Sequence, residues 1–230
     1  YPGGVESVYA INPEKHQEAA FYRNASIHFF VNRGSVELAL LHASETGAED
    51  PQEAVWQEAL RLRDLLKFEF FFPDRERFLA ELREEISFHA PDWEERIGEG
   101  PAAIHALVRR FRPLSAHRVA RPFLESYRVV AEALLRWGTE KPVDKGELMS
   151  RALALGKQWL LQQRIRGAES VSKSYFETAL RLADNRKLLG AGAGDLDERR
   201  RQLVAEIAGA IRRIDAIDAL AAARRSGIES

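Results

Sequence analysis

Helix-start signals recur along this sequence, and they constrain its fold more than any other feature. The segment Asp50–Glu53 reads Asp-Pro-Gln-Glu, a capping box with proline in the first turn, and apolar residues follow it at helical spacing. Asn12–Glu14 and Asp195–Glu198 carry similar start signals, whereas patterns typical of strands are nearly absent. The sequence therefore predicts an all-α fold, an irregular multi-helix bundle with a long C-terminal helix.

The spacing of apolar residues and the position of glycine and proline set the expected boundaries. Asn32–Ser35 (Asn-Arg-Gly-Ser) is expected to separate a helix over 13–32 from a second one that Ser35 caps. Asp74 is expected to cap another helix, and Pro91–Gly100 to form a connector. Further helices are expected over 101–110, 115–137, 144–166 with Gly167 at the C-cap, and 172–189.

The last 40 residues form a distinct segment. A glycine-rich linker, Gly190–Asp195, precedes a helix in which two rows of apolar residues repeat every seven positions, with Arg200 as a polar exception. Such a seam could zip to a partner chain. In a chain this helical, we expect it instead to pack antiparallel on a helix of its own bundle. The resulting domain hypothesis is a connector over 1–12, a helical region over 13–190, and the linker and last helix over 191–230.

Composition and charge exclude several classes of protein. The chain has 230 residues, a net charge of −1 and no cysteine, so disulfide frameworks, thiolate metal sites and cysteine nucleophiles are excluded. No apolar stretch reaches the length of a spanning helix. The balanced charge and the lack of a helix-turn-helix pattern argue against nucleic acid as a partner.

Charge is unevenly distributed in the middle of the chain. Residues 74–99 carry nine acidic and four basic side chains, whereas residues 101–136 carry seven arginines and two acids. The basic segment could face anionic lipid or phosphate, or the two segments could be neighbours that neutralise each other. Both interpretations stay open at this point.

No pattern for nucleophilic, metal or phosphate chemistry is present. The sequence lacks a Gly-x-Ser-x-Gly elbow, a Walker loop and a His-Glu-x-x-His helix, and its six histidines show no ligand spacing. The acids that follow His89 lie in a proline-broken segment, which we expect to be a solvated loop. We therefore expect no catalytic residue, no metal site and no cofactor in this chain.

One constellation is unusual. Tyr22, Arg23, Asn24 and His28 lie within a strongly apolar stretch, and burying such groups is costly unless each has a partner. Asn24 and His28 are four residues apart and share a helix face. These side chains could reach a phosphate or a catalytic loop, or they could form a satisfied polar cluster that fixes how the helix docks on another domain.

The block Phe21–His28 and the following Ser35–Leu41 closely resemble the C-terminal region of bacterial PlsB-type glycerol-3-phosphate acyltransferases and their mitochondrial relatives. Leu66–Phe71, Tyr127–Trp137 and Phe176–Leu189 are similar to that region in the same order. The resemblance implies transfer of an acyl group from acyl-CoA or acyl-ACP to the sn-1 hydroxyl of glycerol 3-phosphate, in phospholipid biosynthesis. It also implies a peripheral location at the cytoplasmic side of the cell membrane.

This chain departs from the family at its catalytic motif. The family's base is the histidine of a His-x-x-x-x-Asp motif in an upstream α/β domain, but no histidine here has an aspartate five positions later. The family's Phe-Pro-Glu-Gly and Gly-x-x-Phe-x-x-Arg blocks are also missing. The chain begins Tyr1-Pro2, and we expect it to be a piece of a longer protein, inactive alone, that buttresses an upstream acyltransferase catalytic domain.

Two further hypotheses concern surfaces. Tyr22, Arg23, Asn24 and His28 are expected at the contact with the catalytic domain. The aromatic run Phe68–Phe72 is either a membrane-dipping edge or, as we expect, a wedge buried between helices. An alternative from another class is a stand-alone helical interaction or regulatory protein that associates through the C-terminal seam.

Overall fold

The structure is a computed structural model and describes residues 15, 27–192 and 194–225. Its elements are helical throughout these residues, which confirms the all-α prediction. A 3-10 turn, Ile27–Phe30, leads into the first α-helix. The α-helices are α1 Val31–Thr46, α2 Pro51–Leu66, α3 Arg75–His89, α4 Trp93–Gly98, α5 Pro101–Val108, α6 Ala116–Val119, α7 Arg121–Leu135, α8 Lys145–Leu161, α9 Lys173–Asn185 and α10 Leu196–Arg225. A second 3-10 turn spans Ala168–Ser170.

Side-chain caps begin three of the helices as the sequence predicts. Asp50 accepts a hydrogen bond from the backbone N–H of Glu53 at 2.9 Å, and Asp74 does the same for Arg77. Asp144 caps α8 in the same way. Each carboxylate satisfies a helix-end donor that has no partner within the helix, so these boundaries follow from local sequence.

The expected break at Asn32–Ser35 is wrong, because α1 runs through it without interruption. The reason is a close approach between helices. A Cβ at Gly34 would lie 3.2 Å from the Cα of Ala116, tighter than ordinary packing allows. Gly34 therefore allows α1 and α6 to pack closely. In the described part of the helix expected over 13–32, the structure has the 3-10 turn Ile27–Phe30 and the start of α1.

Three other boundaries differ from the prediction. The connector predicted at Pro91–Gly100 contains α4, whose first residue, Trp93, is buried and packs edge-on against Trp56. The helix expected over 115–137 divides into α6 and α7. The helix expected over 144–166 ends at Leu161, and Gln163, rather than Gly167, takes a left-handed backbone conformation.

The aromatic run after α2 is mostly a wedge. Phe70 packs against Phe72 and Phe123, and Phe72 packs against Phe78. Phe71 differs, with a relative exposure of 99%. The run therefore anchors the turn between α2 and α3 on the core and leaves one phenyl ring in solvent.

The C-terminal helix α10 buries one face in the core of the bundle. Its two apolar rows are buried, namely Leu196, Leu203, Ala210 and Ile217, and Ile207, Ile214 and Ala221. Arg121 at the start of α7 contacts Asp215, whereas Arg200 near the start of α10 contacts the end of α7, so the two helices run antiparallel. The seam is covered by this chain's own helices, and the stand-alone interaction hypothesis loses the surface on which it depended.

Arg200, the polar exception in the seam, is a buried staple. Its guanidinium donates to the carbonyl of Leu188 from two nitrogens, at 3.0 and 2.7 Å, and to the carbonyls of Gly138 and Gly190. These carbonyls lie in the loops that follow α7 and α9, where the backbone has no ladder of helical hydrogen bonds to satisfy its acceptors. One cation thus joins three helices at their termini.

Candidate functional site

The polar set predicted from the sequence adjoins the start of the described chain. Tyr22, Arg23 and Asn24 lie outside the described residues. His28 belongs to the 3-10 turn Ile27–Phe30, and its side chain is also outside what the structure describes. The candidate site is therefore the described surface that this set leads into.

That surface contains an apolar groove of about 260 Å³ between the 3-10 turn and the segment before α6. Its lining residues are Ile27, Phe30, Pro113, Leu114, Ser115, Arg118 and Val119. Arg118 is the charged residue of this lining. The groove can accept an apolar group and offers a cation at its edge.

A buried glutamate holds one wall of the groove in place. Glu37 of α1 accepts hydrogen bonds from the backbone N–H groups of Ser115 and Ala116, both at 2.8 Å, and from the Ser115 hydroxyl at 3.2 Å. The two amides belong to Ser115, the N-cap residue of α6, and to Ala116, its first residue. Neither amide has an acceptor within the helix. Glu37 thereby clamps the Leu114–Ala116 segment to α1.

Burial raises the pKa of Glu37 to about 7, although its three donors and nearby Arg33 favour the carboxylate. The competing causes leave a carboxyl group that titrates near neutrality behind the groove wall. Its oxygens face donors on α6 rather than the groove. The geometry indicates a structural anchor and not a general base.

A second wall joins α1 to α3 through polar contacts. Arg33 pairs with Glu85 at 2.8 Å and donates to the carbonyl of Arg112 at 3.4 Å. Asn32 donates to Glu81 at 3.2 Å. Arg33 therefore connects α3 to the segment that carries Pro113 and Leu114 of the groove.

His89 lies at the end of α3 and not in a solvated loop, which corrects the sequence prediction. Its side chain is buried, contacts Glu85 at 3.3 Å, and stacks on Phe111 with 4.5 Å between ring centroids. Burial is the main cause that lowers the pKa of His89, with Arg33 adding to it. The histidine is packed into the bundle, so it is not placed to exchange protons with a ligand.

The remaining polar contacts in the described residues do not form a catalytic arrangement. His105 Nε2 lies 3.3 Å from Ser44 Oγ, but that hydroxyl donates to the carbonyl of Leu41 at 2.7 Å. A serine whose proton is engaged with the backbone is not activated by the neighbouring imidazole. Within the same residues, no group of three or more histidine, aspartate and glutamate side chains could hold a metal ion.

Two further acids were not predicted as site residues: Glu58 is buried and Glu69 is half-buried. Glu58 pairs with Arg213 at 2.6 Å and with Arg61 at 2.5 Å, and Glu69 accepts from the Tyr127 hydroxyl at 3.1 Å. Burial raises the pKa of Glu69 to about 7. A charged residue within an apolar helical row could have indicated Glu58, as it does for Glu37, whereas Glu69 lies in the aromatic run after α2.

Two of the arginines of residues 101–136 pair with acids from different parts of the chain. Arg110 pairs with Asp92 of the acidic segment. Arg121 pairs instead with Asp215 of α10 at 2.8 Å, which the sequence hypothesis did not include. The neutralisation interpretation is therefore supported for individual pairs, and part of the compensating charge comes from the C-terminal helix.

Comparison with known proteins assigns the chain to a family. The family model for the glycerol-3-phosphate acyltransferase C-terminal region matches residues 1–192. The chain belongs to this family. A protein of Mycobacterium bovis named "Putative acyltransferase plsB1" is 43% identical over 225 residues, which cover 96% of this chain and 36% of that protein. The protein of the same name from Mycobacterium tuberculosis matches equally, at 43% identity.

The chain spans about a third of the length of these curated relatives, 36% of each. The C-terminal region matched by the family model includes the candidate groove and ends before α10, whereas the match to the relatives extends over nearly the whole chain. No solved structure matches the chain. Among the described residues, no helix has both the length and the apolar character needed to span a membrane.

Proposed function

We propose that this chain is the C-terminal helical part of a glycerol-3-phosphate 1-O-acyltransferase and that it works with an upstream catalytic domain. The complete protein would transfer an acyl group from acyl-CoA or acyl-ACP to glycerol 3-phosphate, forming lysophosphatidate. The observation that carries the proposal is the family match over residues 1–192 in a chain that spans about a third of its relatives.

In this proposal Tyr22, Arg23, Asn24 and His28 make the contact with the catalytic domain. Support comes from their position in the sequence, immediately before a groove whose walls are held by Glu37 and Arg33. Polar side chains in an apolar stretch require partners, and a neighbouring domain can supply them. The set would thereby help to fix the orientation of the two parts.

The proposal is tested by acylation of glycerol 3-phosphate with palmitoyl-CoA. The isolated chain, the longer protein, and the longer protein with Arg23→Ala or His28→Ala are compared, and circular dichroism verifies folding. We expect activity in the longer protein and none in the isolated chain. A ~10-fold or larger loss with Arg23→Ala, but not with Arg75→Ala in an exposed position of α3, is expected for a contact residue.

Two results would contradict the proposal. Activity in the isolated chain would place the chemistry within these residues. Absence of acylation by the longer protein, when it is folded and supplied with both acyl donors, would contradict the proposed activity.

We also propose that the complete protein acts as a peripheral protein at the cytoplasmic side of the cell membrane. The hydrophobic product of the proposed reaction gives the physical reason, because it partitions into a bilayer. Sedimentation of the longer protein with vesicles of anionic phospholipid tests this. Recovery in the supernatant at low and moderate salt would contradict it.

A further inference from the structure

Two arginines share one tryptophan ring where α7 meets the end of α8. The guanidinium carbon of Arg164 lies 4.0 Å from the centroid of the Trp159 ring, and that of Arg128 lies 5.3 Å from the same centroid. The two guanidinium carbons are therefore within ~10 Å of each other, a distance over which charges interact at ordinary ionic strength. The fold thus brings together two positive charges from different helical elements.

Neither guanidinium has a counter-ion among the residues that the structure describes. Arg128 and Arg164 form no ion pair there, and Nε of Arg128 is buried without a hydrogen-bond acceptor. Of the two acids of α7, Glu125 accepts from a serine hydroxyl of the second 3-10 turn, and Glu132 forms no ion pair in the described chain. Residues 148–168 contain four basic side chains and no acidic one. A bound anion would therefore compensate charges that the described fold leaves uncompensated.

Stacking decides which part of each arginine is open to a ligand. A guanidinium that lies on an aromatic ring uses its flat face, and its N–H groups point outward from the edge. Pairs of these N–H groups match two oxygens of a phosphate. Two such cations balance the nearly two negative charges of a phosphate monoester at neutral pH, whereas a carboxylate carries one. The arrangement favours a phosphate over a carboxylate.

The positions of these groups are fixed before any ligand binds. Gln163 takes a left-handed backbone conformation with φ of 57°, and the backbone N–H of Arg164 then donates to the carbonyl of Trp159 at 2.9 Å. The Trp159 side chain is held in the core, with a relative exposure of 2%. Arg164 is exposed and Arg128 is half-buried, so a ligand can reach both from solvent. A fixed site loses less conformational entropy on binding.

We propose that Arg128 and Arg164, held on the ring of Trp159, form a binding site for a phosphate group. The inference goes beyond the proposed function, because neither the acyl transfer nor the domain contact proposed above uses these residues. Water-soluble phosphate compounds and phospholipid headgroups present the same oxyanion, and the arms of the experiment distinguish these two sources.

The test follows the arginine Nε–H signals of the isotope-labelled 230-residue chain by NMR during titration with inorganic phosphate. We expect saturable shifts of the Arg128 and Arg164 signals, and no such shifts with sodium acetate at the same ionic strength. Arg164→Gln should weaken phosphate binding, read from the Arg128 signal, by at least ~10-fold, as expected for loss of charge-assisted hydrogen bonds. Arg164→Lys should also weaken it, because lysine keeps the charge but lacks the paired N–H groups.

Arg83→Gln is the matched control. The guanidinium carbon of Arg83 lies 4.8 Å from the centroid of the Trp56 ring, and it is the single cation on that ring among the described residues. Its substitution should leave the affinity for phosphate unchanged. Absence of saturable shifts at Arg128 and Arg164 would overturn the proposal, as would equal shifts with acetate or equal effects of the Arg83 and Arg164 variants.

Vesicle sedimentation identifies the source of the phosphate. The chain is mixed with vesicles of phosphatidylcholine alone or with added phosphatidic acid, whose headgroup is a phosphate monoester. Weaker sedimentation of Arg164→Gln than of Arg83→Gln with phosphatidic acid would support the site and assign it to a lipid headgroup. Equal sedimentation of the two variants, together with the shifts in inorganic phosphate, would support the site and assign it to a water-soluble compound.

These measurements are independent of the proposed acyltransferase activity. They use this chain alone and do not depend on acylation of glycerol 3-phosphate. An inactive longer protein would contradict the proposed function and leave the phosphate site standing. Absence of phosphate binding in an active one would overturn the site alone.

Discussion

Replacing Arg200 with methionine tests the staple that joins α7, α9 and α10. Methionine keeps much of the aliphatic volume of a side chain that is only 1% exposed, but it removes every guanidinium donor. The backbone carbonyl of buried Leu188 loses two hydrogen bonds, at 3.0 and 2.7 Å, and the carbonyls of Gly138 and Gly190 lose one each.

The magnitude follows from how well each carbonyl can be rehydrated. An unsatisfied buried acceptor costs ~1–3 kcal/mol, which applies to Leu188, whereas the glycine carbonyls lie in more accessible residues and cost ~0.5–1 kcal/mol each. Part of this loss of stability is offset, because the desolvation penalty of the buried cation disappears with it. We expect the free energy of unfolding to fall by ~2–4 kcal/mol.

Urea unfolding followed by far-UV circular dichroism measures the change. With an m-value of ~2–3 kcal/mol/M for a chain of this size, the midpoint should fall by roughly 1 M. Arg201→Met is the matched control, because the neighbouring side chain is 62% exposed and pairs with two carboxylates on its own helix, Asp197 and Glu198. The control should change stability by less than ~0.5 kcal/mol. Equal effects of the two substitutions would refute the argument that Arg200 holds the loops after α7 and α9 against α10.

Two further substitutions have expected outcomes. Burial raises the pKa of Glu69 to about 7, so the folded chain binds a proton that the unfolded chain has lost, and its stability falls as pH rises from ~4.5 to ~7. Glu69→Gln can still accept the hydrogen bond from Tyr127 but does not titrate. This variant should therefore lose ~1–2 kcal/mol less stability over that pH range, after allowance for the partial solvent exposure of Glu69. Urea unfolding at both pH values measures this, and an unchanged pH dependence would contradict it. Gly34→Leu should lower the free energy of unfolding by ~2–3 kcal/mol, since its side chain would meet the backbone of Ala116, whereas Gly98→Leu, which has open space, should change it little. Equal midpoints for the two leucine variants in urea would show that α1 and α6 can separate freely.

The helix starts show how far local sequence reaches. Asp50, Asp74 and Asp144 each accept from an amide three residues later, so the information needed for the cap lies within four residues. The heptad rows of α10 are equally local, because a helix with apolar residues on one stripe must cover that stripe. Fold class and these boundaries were therefore predictable from the sequence alone.

The position of Gly34 shows where local sequence is insufficient. Glycine and serine after Asn32 form a pattern typical of a helix break, yet the helix continues because α6 packs against that glycine. The advantage of close packing comes from residues more than 80 positions away in the chain. No window of local sequence includes the residue against which Gly34 packs.

The candidate site also has one part that the sequence predicted and one part that required the tertiary structure. The Tyr22–His28 block indicated the family and the part of the chain concerned, and both follow from residues that are adjacent in sequence. The groove required the tertiary structure, since Glu37 reaches Ser115 across 78 positions and Arg33 reaches Arg112 across 79. A buried carboxylate is stable only where the fold brings donors to it, so the sequence alone determined that Glu37 interrupts an apolar row, and the tertiary structure decided what it holds.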